Sequence, residues 1–272
     1  MFAGFCKQEL PDVQKWRVRN SMSEELRWTT VSAWVNESIE LFSLLNQGMD
    51  TDAVLAGIKR GTVFPDKKEE TAKRVWTSFR NRYLRRDPAA VSALAERMVS
   101  EVPVQEKKNS LFVYFLEYES LSRLFAEEYV MKRYETTGQR IYTQMDLDRF
   151  FELVFGEYGD RLPEPVKKGV SKESLRKVRN LLYKNYEAFG WGKCSDGQFA
   201  LTPPALSAEW FLFVLKHSFS GKTVPVKELM EAPVFRRFLL GRPGIENQML
   251  AAQRAGLLEI HALGDLAVVE WK

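Results

Sequence analysis

The sequence predicts a mainly α-helical protein that ends in short β-hairpins. Over most of the chain, apolar residues recur at spacings of three and four, which is the period of an amphipathic helix. No convincing strand precedes the prolines at 163 and 165. Twice in the last third, a helical pattern ends at a glycine and is followed by two short segments joined by a turn signal. The predicted fold class is therefore mainly α, a helical bundle followed by helix-and-hairpin segments.

Composition describes a folded protein with a moderate positive charge. The 272 residues are 45% hydrophobic and 12% aromatic, which excludes a disordered chain. The net charge of +4 permits a nucleic acid as a partner without requiring one. Residues 171–272 hold 14 basic and 10 acidic side chains, so the positive excess lies in the last third.

Cysteine spacing and hydropathy indicate the compartment. Cys6 and Cys194 are far apart and show neither metal-ligand nor redox spacing, so we expect two thiols in a reducing environment. The N-terminus lacks the apolar core of a signal peptide, and no apolar run is long enough to cross a bilayer. We expect a cytoplasmic protein without membrane contact.

Helical patterns fill the first part of the chain, and prolines separate it from the rest. The predicted helices span 23–48, 50–61, 65–86, 91–99, 109–133 and 143–158. Pro163 and Pro165 mark the best linker. We predict a helical domain at 1–162, a basic helix with its hairpin at 166–203, and C-terminal helices with a second hairpin at 204–272.

The segment around residue 180 is predicted to be one capped, strongly basic helix. Ser171 is a good N-cap and Gly190 a good terminator. One stripe at helical spacing is apolar and must be buried: Leu175, Val178, Leu182, Tyr186 and Phe189. Between residues 167 and 184, seven cations face a single acid, Glu173. Such a face suits a polyanion, because phosphate contacts release condensed counterions. A merely solvated face is the alternative.

The hairpin that follows this helix adds a second reason to expect DNA. Asp196-Gly197 is a turn signal between two short segments, and Gly264-Asp265 plays the same part at the C-terminus. A winged-helix module ends in this order, with the helix available for the major groove and the hairpin for the backbone. We therefore predict winged-helix-like segments and DNA contacts by Lys172, Arg176, Lys177, Arg179, Tyr183, Lys184 and Lys193.

A second cationic helix lies near residue 80. Its basic residues are predicted as a secondary DNA-binding set: Lys73, Arg80, Arg82 and Arg85. The alternative is structural, since arginines in a final turn complement the helix C-terminus and pair with neighbours.

The sequence offers no set of groups that predicts catalysis. His217 and His261 have no companions at metal-ligand spacing. Asp146, Asp148 and Glu152 could hold a divalent metal as in a nuclease, or form an ordinary exposed acidic turn. We predict a protein that is not an enzyme and has neither a metal nor another cofactor.

The order of several motifs resembles the BrxA family of bacteriophage exclusion (BREX) systems. The segments that carry the resemblance are 34–48, 71–75, 80–84, 114–116, 148–151, 171–179 and 255–258, among them Thr-Ala-Lys-Arg at 71–74 and Ser-Lys-Glu-Ser-Leu-Arg-Lys at 171–177. The resemblance implies a non-enzymatic component of a multi-protein antiphage system, helical with a fold likened to the NusB antitermination factor, and able to bind DNA.

The resulting functional hypothesis is a protein that binds double-stranded DNA with little sequence preference, in company with other BREX proteins. Lysines mainly position a duplex, and apart from Asn180 no asparagine or glutamine accompanies the cations. Two alternatives stay open. One is an RNA-binding role, which the NusB likeness suggests, and the other is a protein adaptor that docks its cationic helix on an acidic partner.

Overall fold

The computed structural model describes residues 25–263 and 266–271, so Cys6 lies outside the described residues. The described chain is mainly helical with short antiparallel strands, which confirms the predicted class. It divides into two compact units, of which the first comprises residues 31–118 and the second residues 25–30 and 119–271 of the described chain. The predicted boundary near residue 162 falls inside the second unit, and the three-domain organisation stays a prediction.

The first unit contains only helices among its described residues. They are α1 (Val35–Asn46), α2 (Thr51–Arg60), α3 (Glu69–Phe79), α4 (Pro88–Val99) and α5 (Val104–Tyr118), and a π-helical segment (Arg80–Leu84) continues α3. Aromatic rings fill the core, with Phe42 edge-on to Phe79 at 4.9 Å and Tyr83 5.7 Å from Phe79. Asp50 caps α2 by accepting from the Ala53 N–H at 2.7 Å, as its sequence predicts.

The predicted helix at 23–48 is wrong in its first part, because α1 begins only at Val35. Trp34 has a left-handed backbone with φ of 52°. The physical reason is the buried Arg82, whose guanidinium donates to backbone carbonyls that a helix would have used itself. These are the carbonyls of Ser32 at 2.7 Å, Ala33 at 3.1 Å and Val31 at 3.2 Å.

The second unit begins with a helical stretch followed by a three-stranded sheet. The elements are α6 (Ser120–Leu124), a π-helical segment (Phe125–Val130), α7 (Met131–Thr137), β1 (Ile141–Tyr142), α8 (Gln144–Glu157), α9 (Glu164–Lys167), α10 (Lys172–Ala188), β2 (Gly192–Ser195) and β3 (Gln198–Leu201). The antiparallel strand order is β1-β3-β2. The turn between β2 and β3 is the predicted one, with Asp196 and Gly197 at φ of 50° and 74°.

The C-terminal part of this unit repeats the same plan. Its elements are α11 (Ala208–Ser218), β4 (Thr223–Pro225), α12 (Val226–Glu231), α13 (Pro233–Arg236), α14 (Arg242–Arg254), β5 (Leu258–Leu263) and β6 (Leu266–Trp271). The antiparallel strand order is β4-β6-β5. In both segments a helix is followed by a strand, further helices and a hairpin, and the first strand pairs with the last. The predicted C-terminal hairpin is confirmed, and its turn at 264–265 lies outside the described residues.

Aromatic packing joins the two segments behind α10. Trp191, three residues after the end of α10, is fully buried, and its ring centroid lies 5.6 Å from that of Phe238. Phe238 in turn meets Trp210 of α11 edge-on at 4.7 Å. The C-terminal end of α10 is therefore anchored in a shared core.

Candidate nucleic-acid interface

Helix α10 forms where the sequence predicts it, with one face buried. The Ser171 hydroxyl accepts from the Ser174 N–H at 3.1 Å, and Gly190 follows the helix with φ of 80°. Four of the five predicted apolar positions are buried, and Leu175 is half-buried: the buried ones are Val178, Leu182, Tyr186 and Phe189. Tyr186 packs edge-on against both Phe125 and Phe199. This buried face fixes which side of α10 meets solvent.

The opposite face of α10 presents exposed cations. Lys172, Arg176 and Lys184 are exposed and form no ion pair with any residue that the structure describes. Lys177 is exposed too, and it pairs with Glu173 at 2.7 Å one turn away. An exposed pair of this kind contributes little to stability, so a phosphate can replace the carboxylate.

Arg179 lies at the edge of this face and is already engaged. Its side chain is 21% exposed and forms an ion pair with Asp148 of α8. The same guanidinium donates to the Gln144 carbonyl oxygen at 3.4 Å. Arg179 therefore joins α8 to α10, and only part of its charge is available to a ligand.

The structure corrects the assignment of Tyr183 as a DNA-contacting residue. Its side chain is 4% exposed, and its ring stacks on Phe199 at 5.2 Å. The hydroxyl donates to the Thr143 carbonyl oxygen at 2.7 Å. Burial raises the pKa of Tyr183 above its ordinary value. This residue holds the start of α8 against α10 instead of reaching solvent.

The hairpin β2–β3 places one more cation beside the helix. Lys193 is exposed, and the Cys194 backbone N–H donates to the Glu187 carboxylate of α10 at 2.9 Å. Burial and the neighbouring Glu187 raise the pKa of the Cys194 thiol to about 11, so it stays protonated at neutral pH.

An open surface cavity of about 230 Å³ lies between α10 and the start of α8. Its lining combines cations, amides and one apolar side chain: Gln144, Lys172, Leu175, Arg176, Arg179 and Asn180. Sequence reasoning missed Gln144, because nothing in the local sequence shows that the turn at Thr143 brings it against α10.

The residues predicted as a secondary DNA-binding set lie in the first unit, and they differ in burial. Arg82 is 1% exposed and, besides its three carbonyl contacts, lies over the Phe115 ring at 5.0 Å, which corrects its assignment to DNA contact. Lys73 is exposed and pairs with Glu69 at 2.5 Å. Arg80 is half-buried and Arg85 is exposed. DNA contact by these last three residues stays a prediction.

Two acidic residues of α8, Asp146 and Asp148, have structural partners. Asp146 is buried and accepts from the Thr143 N–H at 2.8 Å and the Gln139 amide at 3.1 Å. Asp148 pairs with Arg179. Across residues 25–263 and 266–271, no group of three or more histidine, cysteine or acidic side chains is arranged to hold a metal ion. Among the helices of the same residues, none combines the length and apolarity needed to cross a bilayer.

Comparison with known proteins gives a family and a fold. The BrxA family model matches residues 25–157, which end before α10. No curated protein matches the chain. The crystal structure of an uncharacterized protein from Magnetospirillum magneticum is similar over 82% of this chain and 100% of that chain, with a TM-score of 0.56 and 15% sequence identity. At this identity the likeness shows the fold alone.

Proposed function

We propose that this chain, whose match to the BrxA family model over residues 25–157 supports membership of that family and indicates a BREX phage-defence component, binds double-stranded DNA and catalyses no reaction itself. The binding surface is the exposed face of α10 together with Lys193 of the hairpin. The observation that carries the proposal is that Lys172, Arg176 and Lys184 are exposed and unpaired among the described residues.

The topology around α10 supports this proposal. We interpret the order of a helix, a strand, further helices and a hairpin, with the sheet ordered β1-β3-β2, as that of a winged-helix module with α10 as its recognition helix. A recognition helix lies in the major groove, and the preceding helix crosses the backbone. In this arrangement α8, which the Asp148–Arg179 ion pair joins to α10, is the helix that crosses the DNA backbone.

The chemistry of the cations also favours a duplex over a small ligand. Free ammonium and guanidinium groups spread along α10 match a row of phosphates, because each contact releases counterions from the DNA. Lysine contacts of this kind position a duplex without reading its sequence. The resulting affinity depends strongly on salt and only weakly on sequence.

Charge reversal on α10 tests the proposal. We expect Arg176→Glu with Lys184→Glu to weaken binding of a fluorescent duplex at least about tenfold, because two attractive charges that face the duplex become repulsive. The matched control is Lys216→Glu with Lys227→Glu, which changes the same charge at exposed positions of α11 and α12. Equal affinities of the two variants, with helicity retained in circular dichroism, would remove α10 from the binding surface.

Two other outcomes would assign this surface to a different partner. Structured RNA that displaces the duplex at lower concentration than competing DNA would favour the RNA-binding alternative. Capture of other BREX proteins that survives nuclease treatment and is lost in the α10 variant would favour a protein adaptor.

A further inference from the structure

Asn180 occupies the centre of the cationic face of α10. At about 100° per residue, it lies between Arg176 and Lys184, each one helical turn away. Its side chain is exposed and makes no hydrogen bond to any residue within the described chain. A neutral amide in the middle of a row of cations contributes nothing to phosphate attraction, so its chemistry is that of a hydrogen-bonding group aimed at the ligand.

The cavity beside α10 brings a second amide to the same place. Gln144 lines this cavity together with Asn180, although 35 residues separate them in the chain. The backbone at Gln144 is held firmly, since Arg179 donates to its carbonyl oxygen at 3.4 Å and Tyr183 donates to the Thr143 carbonyl oxygen at 2.7 Å. Its side chain is exposed and has no hydrogen bond to the described residues.

The third uncommitted group of the cavity is the Arg176 guanidinium. In the major groove, asparagine and glutamine bind adenine through its N6 and N7 atoms, and arginine binds guanine through O6 and N7. Lysine carries one ammonium group and lacks both the donor-acceptor pair of an amide and the planar fork of donors of arginine. The two amides and Arg176, the arginine of the cavity that has no ion pair among the described residues, are therefore the groups suited to base edges, and Lys172 and Lys184 flank them as contacts to the DNA backbone.

We infer that this cavity reads base edges in the major groove, with Asn180 selecting an adenine and Gln144 assisting it. The inference rests on the proposed function and deepens it: DNA binding through α10 carries a preference that is one or two base pairs long. Arg176 contributes a neighbouring guanine contact. The lysines set affinity, and the amides set the preferred sequence.

Selection of duplexes from a randomised library tests the inference. We expect the protein to enrich adenine at one or two positions, and Asn180→Ala to abolish that enrichment. A good bidentate base contact discriminates by about 1–3 kcal/mol, so the affinity ratio between selected and unselected duplexes should fall by roughly 5- to 150-fold. The salt dependence of Asn180→Ala should match that of the wild type, because the substitution removes no charge.

Lys184→Gln is the matched control, one turn away on the same face. It should weaken binding to all duplexes alike, reduce the salt slope by about one and keep the adenine preference. Asn180 is exposed in a helix interior, and alanine has the higher helix propensity, so the test variant will fold.

The outcomes separate the inference from the function on which it rests. Salt-dependent binding with no enriched base, or with an enrichment that Asn180→Ala retains, would overturn base reading and leave DNA binding in place. Absence of salt-dependent DNA binding would overturn both. An adenine preference lost only in Asn180→Ala is the result that the inference requires.

Discussion

Whether an arginine of this chain stabilises the fold or is available to a ligand depends on its burial. Arg82 satisfies three backbone carbonyls inside the first unit, whereas Arg85, three residues later, is exposed. Each buried polar group left without a partner costs roughly 1–3 kcal/mol. The same charge therefore maintains the fold at one position and is open to a ligand at the other.

We expect Arg82→Ala to lower the free energy of unfolding of the first unit by on the order of 3 kcal/mol, since three carbonyls lose their donor. Arg85→Ala, as the exposed control, should change it by less than about 0.5 kcal/mol. Urea unfolding followed by circular dichroism measures both. Similar unfolding midpoints for the two variants would contradict the structural role given to Arg82.

The stability of the second unit depends on pH through the carboxyl group of Asp146. Its burial acts to raise its pKa, but hydrogen bonds from the Thr143 N–H, Gln139, the Thr143 hydroxyl and Tyr129 outweigh that effect and lower the pKa. A folded-state pKa below the unfolded value of about 3.9 means that the stabilisation is complete above that pH. It is lost as the pH falls through the lower folded-state pKa.

We expect Asp146→Asn to destabilise the protein by about 1–3 kcal/mol at pH 7, because both carboxylate oxygens accept hydrogen bonds and asparagine replaces one of them with an NH2 group, which cannot accept. The difference from the wild type should shrink as the pH falls below about 4, because the carboxylate of the unfolded wild type takes up a proton there, and it should vanish below the lower folded-state pKa. Urea midpoints at pH 7 and pH 3 provide the measurement. A difference that is equal at the two values would show that the Asp146 charge contributes nothing.

At the scale of elements, the ion pair between α8 and α10 restrains the binding face. Asp148 holds Arg179 and brings a negative charge beside the cavity. We expect Asp148→Asn to strengthen duplex binding about two- to tenfold at low salt and to steepen the salt slope by about one, because Arg179 becomes free to meet a phosphate.

Glu152→Gln is the control for this effect, since it removes the same charge one turn further along α8. Glu152 is exposed and has no ion pair among the described residues, so its replacement should change affinity less. Fluorescence anisotropy at two salt concentrations compares the variants. Identical affinities of Asp148→Asn and Glu152→Gln would show that Arg179 plays no part in binding.

The longer elements could be predicted from the sequence, and the shortest could not. The cap at Ser171 and the turn at Asp196-Gly197 are local signals, and each is confirmed by its own hydrogen bond or backbone angles. The strands β1 and β4 span two and three residues, too few to show an alternating pattern. They form through pairing with β3 and β6, which are distant in the chain.

At the scale of the molecule, the sequence predicts the exposed cations of the candidate site but not the residues that α8 brings to it. The period of apolar residues in α10 predicted which face is buried, and with it the exposure of Lys172, Arg176 and Lys184. It could not predict that Tyr183 turns to Thr143 or that Asp148 reaches Arg179, because those contacts depend on where α8 lies. The cavity with Gln144 and Asn180 arises from the same packing.

The central claim is that the exposed cations of this protein bind the phosphates of duplex DNA. Its most direct test is the affinity for one duplex across a series of salt concentrations. With four lysines available to phosphates, Lys172, Lys177, Lys184 and Lys193, the logarithm of the binding constant should fall against the logarithm of salt concentration with a slope of roughly −3 to −4. A slope near zero would contradict the claim.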